Sequence, residues 1–436
     1  MCMNARALIE IVGNKLRLGS LRGDIAKIFL YNSLSLCLGM FGSIIIARVL
    51  GPTQKGVLNL YSLLTTLIAE LGLLGLNSGL LYLLANRKTP LERIHFAAIR
   101  GALILGGASL GVVALLVPLL SVGFQGLPTQ FVIISGIIAP LLLYRVMWSN
   151  LMTGINRATH VYWVGFLLSA LSLLCMLILW AMDALTATNF IWVNIALVIM
   201  NCLYGFLYLF RIHGFRFVRD KDCFTGAFRY GCVVYLGVIF NFLNFRIDQL
   251  MINYFQGPRG VGIYTVSVSW AEMLWLIDYA VINAALYNIS SLSPGESWDL
   301  TWSLVKKTSL LLATGAVVLG VVSSPLVRFM YGLEFAGAVM PLLLLLPGVV
   351  AWGAGRILSQ FISYNAGKAY VCTVAAFVGS VLNVIANLYT IPRWGLIGAA
   401  FTSTVSYVTT LGVLAVAFCA LRRVSGRMDV ARLPGL

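Results

Sequence analysis

A chain of 436 residues that is 60% apolar and only 10% charged, with a mean hydropathy of +0.94, lies outside the range of soluble globular domains. A spanning helix needs roughly 20 apolar residues, so this length accommodates about twelve crossings and leaves little chain for a soluble catalytic domain. The net charge of +16 would suggest nucleic acid in a soluble protein, but its placement along this chain excludes that partner.

The basic start, residues 1–26, has no compact apolar core followed by small residues, so it does not read as a signal peptide. It reads as a cytoplasmic tail with a short amphipathic helix. Apolar spans follow at 27–47, 57–84, 97–120, 130–152, 160–181 and 190–211. A second set lies at 229–254, 261–289, 308–327, 337–363, 370–391 and 396–420. The odd-numbered loops hold Lys55, Arg259, Arg328 and Arg393, and four further arginines lie in or at the ends of spans. The other 22 of the 30 basic residues fall in the tail, the even-numbered loops and the C-terminus, among them Arg87, Lys88, Arg216, Arg219, Lys221 and Arg423. By the positive-inside rule both termini are cytoplasmic and the number of spans is even.

The first junction, "ARVLGPTQKGVLNL", contains G-P-x-x-x-G, and "YFQGPRGVGIYTV" repeats it 206 residues later. Pro52 is expected to stop the helix, with Gly51 and Gly56 allowing a tight reversal: an elbow on the outer side. Glycines at close spacing (Gly72, Gly75 and Gly79; Gly101, Gly106, Gly107 and Gly111) read as faces where helix backbones approach in lipid. Pro118, Pro140, Pro341 and Pro347 would kink or end their spans. A second repeat aligns Arg145 with Arg356, Arg157 with Lys368 and Ala158 with Ala369 at an offset of 211. Two offsets this similar predict parallel repeats: a six-helix lobe over 27–212, a cytoplasmic linker over 213–228, a second lobe over 229–421 and a tail over 422–436.

Ionisable side chains deep in a span are functional candidates by default, because each costs several kcal/mol unless it faces a partner or water. On these boundaries they are Arg48, Glu70, Arg145, Arg246, Asp248, Glu272, Asp278 and Arg356. Arg48 is within snorkelling reach of the outer interface, as Arg145 and Arg356 are of the inner one. Glu70, about 21 Å beyond Gly56 along a helix, is not. In "NFLNFRIDQLMINYF", Asn241, Asn244 and Asp248 share one face and Arg246, Gln249 and Asn253 another. A span polar on two faces is expected to border an aqueous cavity. Glu272, Tyr279 and Asn283 form a stripe on the next span, and a buried Arg246–Glu272 pair is the alternative to a transport path.

Other chemistry is missing. No phosphate-cradling G-x-x-x-x-G-K-[ST] occurs, the eight cysteines are scattered without metal-ligand spacing, and His95, His160 and His213 read as interfacial polar residues. No cofactor, metal or catalytic residue is implied.

"LGMFGSIIIARVLGPTQKGVLNLYSLLTTLIAELGLLGLNSGLLYLLA", "DQLMINYFQGPRGVGIYTVS" and "IPRWGLIGAAFTSTVSYV" resemble the bacterial polysaccharide-transport family of lipid-linked oligosaccharide flippases. That family lies within the multidrug/oligosaccharidyl-lipid/polysaccharide (MOP) exporter superfamily. The resemblance covers most of the chain, and its motifs are packing and turn signatures that say little about substrate. It implies an all-α polytopic fold of about twelve helices in two parallel six-helix repeats around a central cavity. It also implies translocation of undecaprenyl-diphosphate-linked oligosaccharide across a bacterial inner membrane, with membrane lipids and polysaccharide polymerase or export machinery as partners. Arg246, Arg145, Arg356 and Arg48 are the candidate substrate-binding residues, chosen on charge and depth. Asp248, Glu272, Glu70 and Asp278 are the candidates for ion coupling. A cation-coupled multidrug exporter, a membrane-embedded glycan polymerase or acyltransferase, and an export scaffold are the alternatives. One departure is "AMDALTATNFIW", which lacks the glycine-rich turn found at Gly395 to Gly398.

Overall fold

The computed structural model describes residues 5–85, 89–214 and 221–431, so Arg87, Lys88, Arg216 and Arg219 lie outside the described residues. The side chains of residues 5–22, Lys221, Asn283 and Arg423 also lie outside them, and with them the amphipathic face expected of the tail. The described residues are helical nearly throughout. In chain order the helices are α1 (Ala5–Gly72), α2 (Leu76–Ala85), α3 (Leu91–Gly123), α4 (Thr129–Ile137), α5 (Ala139–Gly154), α6 (Ala158–Ala181) and α7 (Ala187–His213). They continue with α8 (Lys221–Met273), α9 (Trp275–Ser291), α10 (Pro294–Tyr331), α11 (Val339–Gln360) and α12 (Ala369–Ala431).

Three of these are too long to be one crossing, and each breaks at a glycine with positive φ: Gly51 (73°) in α1, Gly257 (70°) in α8 and Gly395 (58°) in α12. A side chain at such a φ is strained, so glycine fixes the place of each break. With these three divided and the α4–α5 pair, bent by 52°, taken as one, eight apolar helices become twelve crossings among the described residues. The protein is an all-α polytopic membrane protein.

The elbows differ from the expectation in one respect. No loop separates the two arms of α1; the helix breaks at Gly51 alone and restarts at Pro52, and α8 restarts in the same way at Pro258. Proline suits the first position of a helix, where its missing N–H has no partner to lose. Pro52 therefore starts a helix rather than stopping one, and Gly56 is helical rather than part of the turn.

Two compact units emerge from the packing. One comprises Met1–Ile46, Gly72–Gly111 and Gly136–Cys232; the other comprises Ala47–Leu71, Val112–Ser135 and Val233–Leu436. In the first unit, Gly75 and Gly231 pack backbone to backbone, and Gly79 faces the Ala227 carbonyl, as expected of glycine faces. Gly106 packs on Pro140, whereas a Cβ on Gly107 or Gly111 would meet open space among the described residues, so neither is needed for close packing on that side.

Candidate functional site

Both Gly-Pro elbows belong to the second unit, and they pack on each other. A Cβ on Gly56 would collide with the Pro258 carbonyl, and one on Gly262 with the Pro52 carbonyl. The two copies of G-P-x-x-x-G thus form a reciprocal backbone contact that only glycine permits. Polar clasps surround it. Gln125 Nε2 donates to the carbonyls of Asn253 (2.7 Å) and Tyr254 (2.8 Å), and Asn253 Nδ2 donates back to Gly123 (2.9 Å) and Gln125 (3.2 Å). Asn59 bonds Thr265 2.5 Å away. Arg48 Nε donates to the Met330 carbonyl (2.9 Å), and its Nη2 donates to that of Phe329. This places a cation on the last carbonyls of α10, where the helix dipole favours one.

Deeper in the same unit lies a cavity of about 510 Å³ lined by Thr66, Glu70, Asn241, Phe245, Arg246 and Thr373, among others. The Arg246 guanidinium meets Glu272 as a fork, Nη1–Oε1 at 3.1 Å and Nη2–Oε2 at 3.3 Å. Both residues are partly exposed, 32% and 26% of their side chains. The fork occupies two of the five guanidinium donors and fixes the plane of the rest. Of the eight candidates, Glu70 and Arg246 line this cavity directly, and Glu272 adjoins it through Arg246.

Asp248 does not face the cavity. It is 3% exposed, and its carboxylate accepts from Tyr264 Oη (2.6 Å), Ser403 Oγ (3.3 Å) and the Gln249 backbone N–H (2.8 Å). One turn away, Asn244 accepts from Ser406 at 2.6 Å. Asn383, Asn387 and Thr402 are likewise buried, with Asn387 donating to Asn383 (2.8 Å) and Thr390 joined to Thr402 (2.9 Å). The span does border a cavity, but through Asn241 and Arg246 and not through Asp248. Asn244, Asp248, Gln249 and Asn253 are buried, the first two against α12, whose own serines supply partners; Asn241 and Arg246 border open space.

Asp278 is fully buried with its Oδ2 3.2 Å from Arg356 Nη1, and the guanidinium also lies 5.8 Å from the Tyr279 ring centroid. A candidate cargo ligand and a candidate coupling acid are thus each other's partner. Arg145 is exposed, and its guanidinium makes no ion pair among the described residues.

Of the three histidines, His95 departs from the interfacial reading. His95 is fully buried in the first unit, its Nδ1 2.8 Å from His213 Nε2 and its Nε2 2.8 Å from Tyr144 Oη. His160 stacks on Tyr208, which also accepts from Arg157 at 3.0 Å. No sequence spacing joins His95, Tyr144 and His213, because each comes from a different helix. Among the described residues no group of three His, Cys, Asp or Glu side chains converges on a metal position.

Comparison with known proteins agrees with this architecture. A family model described as "Polysaccharide biosynthesis protein" matches residues 21–291, more than half of the chain. An uncharacterized membrane protein of Methanocaldococcus jannaschii is 24% identical over 229 residues, 48% of this chain; the match spans less than half (43%) of that protein's own length. Among solved structures, the lipid II flippase MurJ in an inward closed conformation superposes with a TM-score of 0.68 at 16% identity, covering 94% of this chain and 93% of MurJ. An inward-facing multidrug resistance MATE family transporter of the MOP superfamily gives 0.68 at 14% identity, covering 92% and 96%. The MATE transporter DinF-BH in complex with R6G gives 0.66 at 13%, covering 92% and 95%. The chain shares its fold with these MOP-superfamily members and belongs to the polysaccharide biosynthesis protein family.

Proposed function

We propose that this protein is a transporter, not an enzyme, that moves undecaprenyl-diphosphate-linked oligosaccharide from the inner to the outer leaflet of a bacterial inner membrane for surface-polysaccharide assembly. The observation that carries the proposal is the Arg246–Glu272 fork at a cavity lined by apolar side chains as well as by Glu70, Asn241 and Arg246, in a membrane-spanning fold. Glu272 holds the guanidinium plane, and the unused N–H groups are donors suited to the oxygens of a diphosphate. The family and the flippase named among the structural neighbours support a lipid-linked sugar as cargo.

In this reading the lobes 27–212 and 229–421 rock against each other, with both termini cytoplasmic. The Gly56–Pro258 and Gly262–Pro52 contact is the outer seal that rocking must part. The polyprenyl tail stays in lipid while the charged head group crosses. Asp248 and Glu70 are the acids available to take up a proton or sodium ion that resets the cycle. Arg145 and Arg356 are secondary candidates for head-group contact, the first unpaired and the second held by Asp278.

The test is leaflet distribution. Loss of the protein should trap lipid-linked repeat units on the cytoplasmic leaflet, and Arg246→Ala should reproduce the trap while the protein remains in the membrane. An unchanged distribution refutes the flippase reading. A multidrug exporter is the second reading, favoured by one observation: the cavity wall pairs Arg246 with Glu272 and adds Glu70, an excess of acid that suits cationic cargo. Drug resistance on overexpression, without a glycan defect on deletion, would select it.

A further inference from the structure

The chain has three histidines, and two of them meet inside the first unit in an arrangement that transport of an anionic lipid head group does not require. His95 lies in the second turn of α3 and His213 is the last residue of α7. The N···N separation of 2.8 Å is that of a hydrogen bond, so exactly one proton lies between them. Tyr144 of α5 engages the other nitrogen of His95, leaving that ring no free position. His213 differs: its Nδ1 is buried and has no hydrogen-bond partner among the described residues.

The proton count follows from this geometry. With both rings neutral, one allowed arrangement has His213 Nε2–H donating to His95 Nδ1 and His95 Nε2–H donating to Tyr144 Oη. In that arrangement Nδ1 of His213 carries a bare lone pair. A proton arriving there makes His213 an imidazolium without breaking either bond. The charge sits at the C-terminus of α7, where the exposed carbonyls of the last turn favour a cation. A second proton has only His95 Nδ1 to occupy, and that atom already faces the Nε2–H of its partner. Two N–H groups cannot point at each other across 2.8 Å, so the second proton must separate the rings.

The groups facing the pair leave this count intact. From α5 it is Tyr144; from α7, besides His213, the rings of Phe206 and Phe210. The nearest charges along these helices are Glu92, Arg93, Arg145 and Arg211; the three arginines are exposed and Glu92 is half-buried. No carboxylate bonds to either ring among the described residues.

We propose that His95 and His213 form a proton-binding latch that takes up one proton per pair, at His213 Nδ1, and that a second proton releases the end of α7 from α3.

The measurement is histidine-selective carbon-13 NMR of the full-length protein in nanodiscs, carrying His160→Asn so that only the pair reports. On acid titration the pair should take up one proton before its rings part, and the His95 and His213 signals should follow a single common curve. His213→Asn should abolish that uptake, because the accepting nitrogen is gone, while Tyr144→Phe should preserve it. A spin-label pair on α3 and α7 should separate only at lower pH, on arrival of the second proton. Two protons taken up on independent single-site curves, or uptake unchanged in His213→Asn, would overturn the proposal.

Discussion

Arg145 and Arg356 occupy matching places in the two halves of the sequence, 211 residues apart, and their surroundings have nothing else in common. Arg356 is tied to a fully buried Asp278 at 3.2 Å, whereas Arg145 is exposed without an ion pair among the described residues. The Gly51 and Gly257 elbows show the opposite outcome. Each still presents its glycine and carbonyl to the other, and neither copy tolerates a side chain at the contact. Backbone contacts are preserved together because each elbow is the other's partner. A charge is free to diverge when its acid comes from outside the repeat.

The sharpest way to break the comparison is at the elbows. Gly56→Val drives side-chain atoms into the Pro258 backbone, and overpacking of this kind costs about 1–3 kcal/mol and at times more. Export should fall by an order of magnitude or more and the thermal midpoint should drop; Gly262→Val should do the same, and the double variant should not recover. At the arginines the effects should separate. Arg356→Ala strands a buried carboxylate, with an expected loss of ~3–5 kcal/mol, read as thermal destabilisation of the purified protein. Replacing both members, Arg356→Met with Asp278→Leu, should restore most of it. Arg145→Ala, at an exposed position, should change stability by less than ~0.5 kcal/mol, so any export defect it shows reports a functional contact. Arg246→Lys keeps the charge and loses the planar fork on Glu272; export should fall while insertion and stability stay close to wild type. The smallest effect is expected at Gly111, where a Cβ meets nothing within 4 Å: Gly111→Ala should be indistinguishable in both assays.

The helix layout was legible because it rests on local rules. Span length and the Gly-Pro repeat each act within a few residues, and they led to twelve crossings and two elbows. The elbow's one-residue break was not legible, since proline both ends one helix and suits the first turn of the next. Arg246 with Glu272 was foreseen only as an alternative; with just the elbow between them, the two arms of α8 fold back on each other. The Asp278–Arg356 pair and the His95–His213–Tyr144 chain were out of reach, because their members come from helices whose adjacency is a tertiary fact. Asp248 shows the limit most clearly. Its charge and depth suggested open water, but Tyr264 and Ser403 enclose it, and nothing local to Asp248 reveals their hydroxyls.

The central claim is that Arg246 holds an anionic lipid-linked head group in the cavity it shares with Glu70 and Asn241. The most direct measurement is the leaflet distribution of lipid-linked repeat units in cells carrying wild type, Arg246→Lys or Arg246→Ala, with membrane levels of the protein matched. The account predicts progressive accumulation on the cytoplasmic leaflet in that order; equal distributions in all three would contradict it.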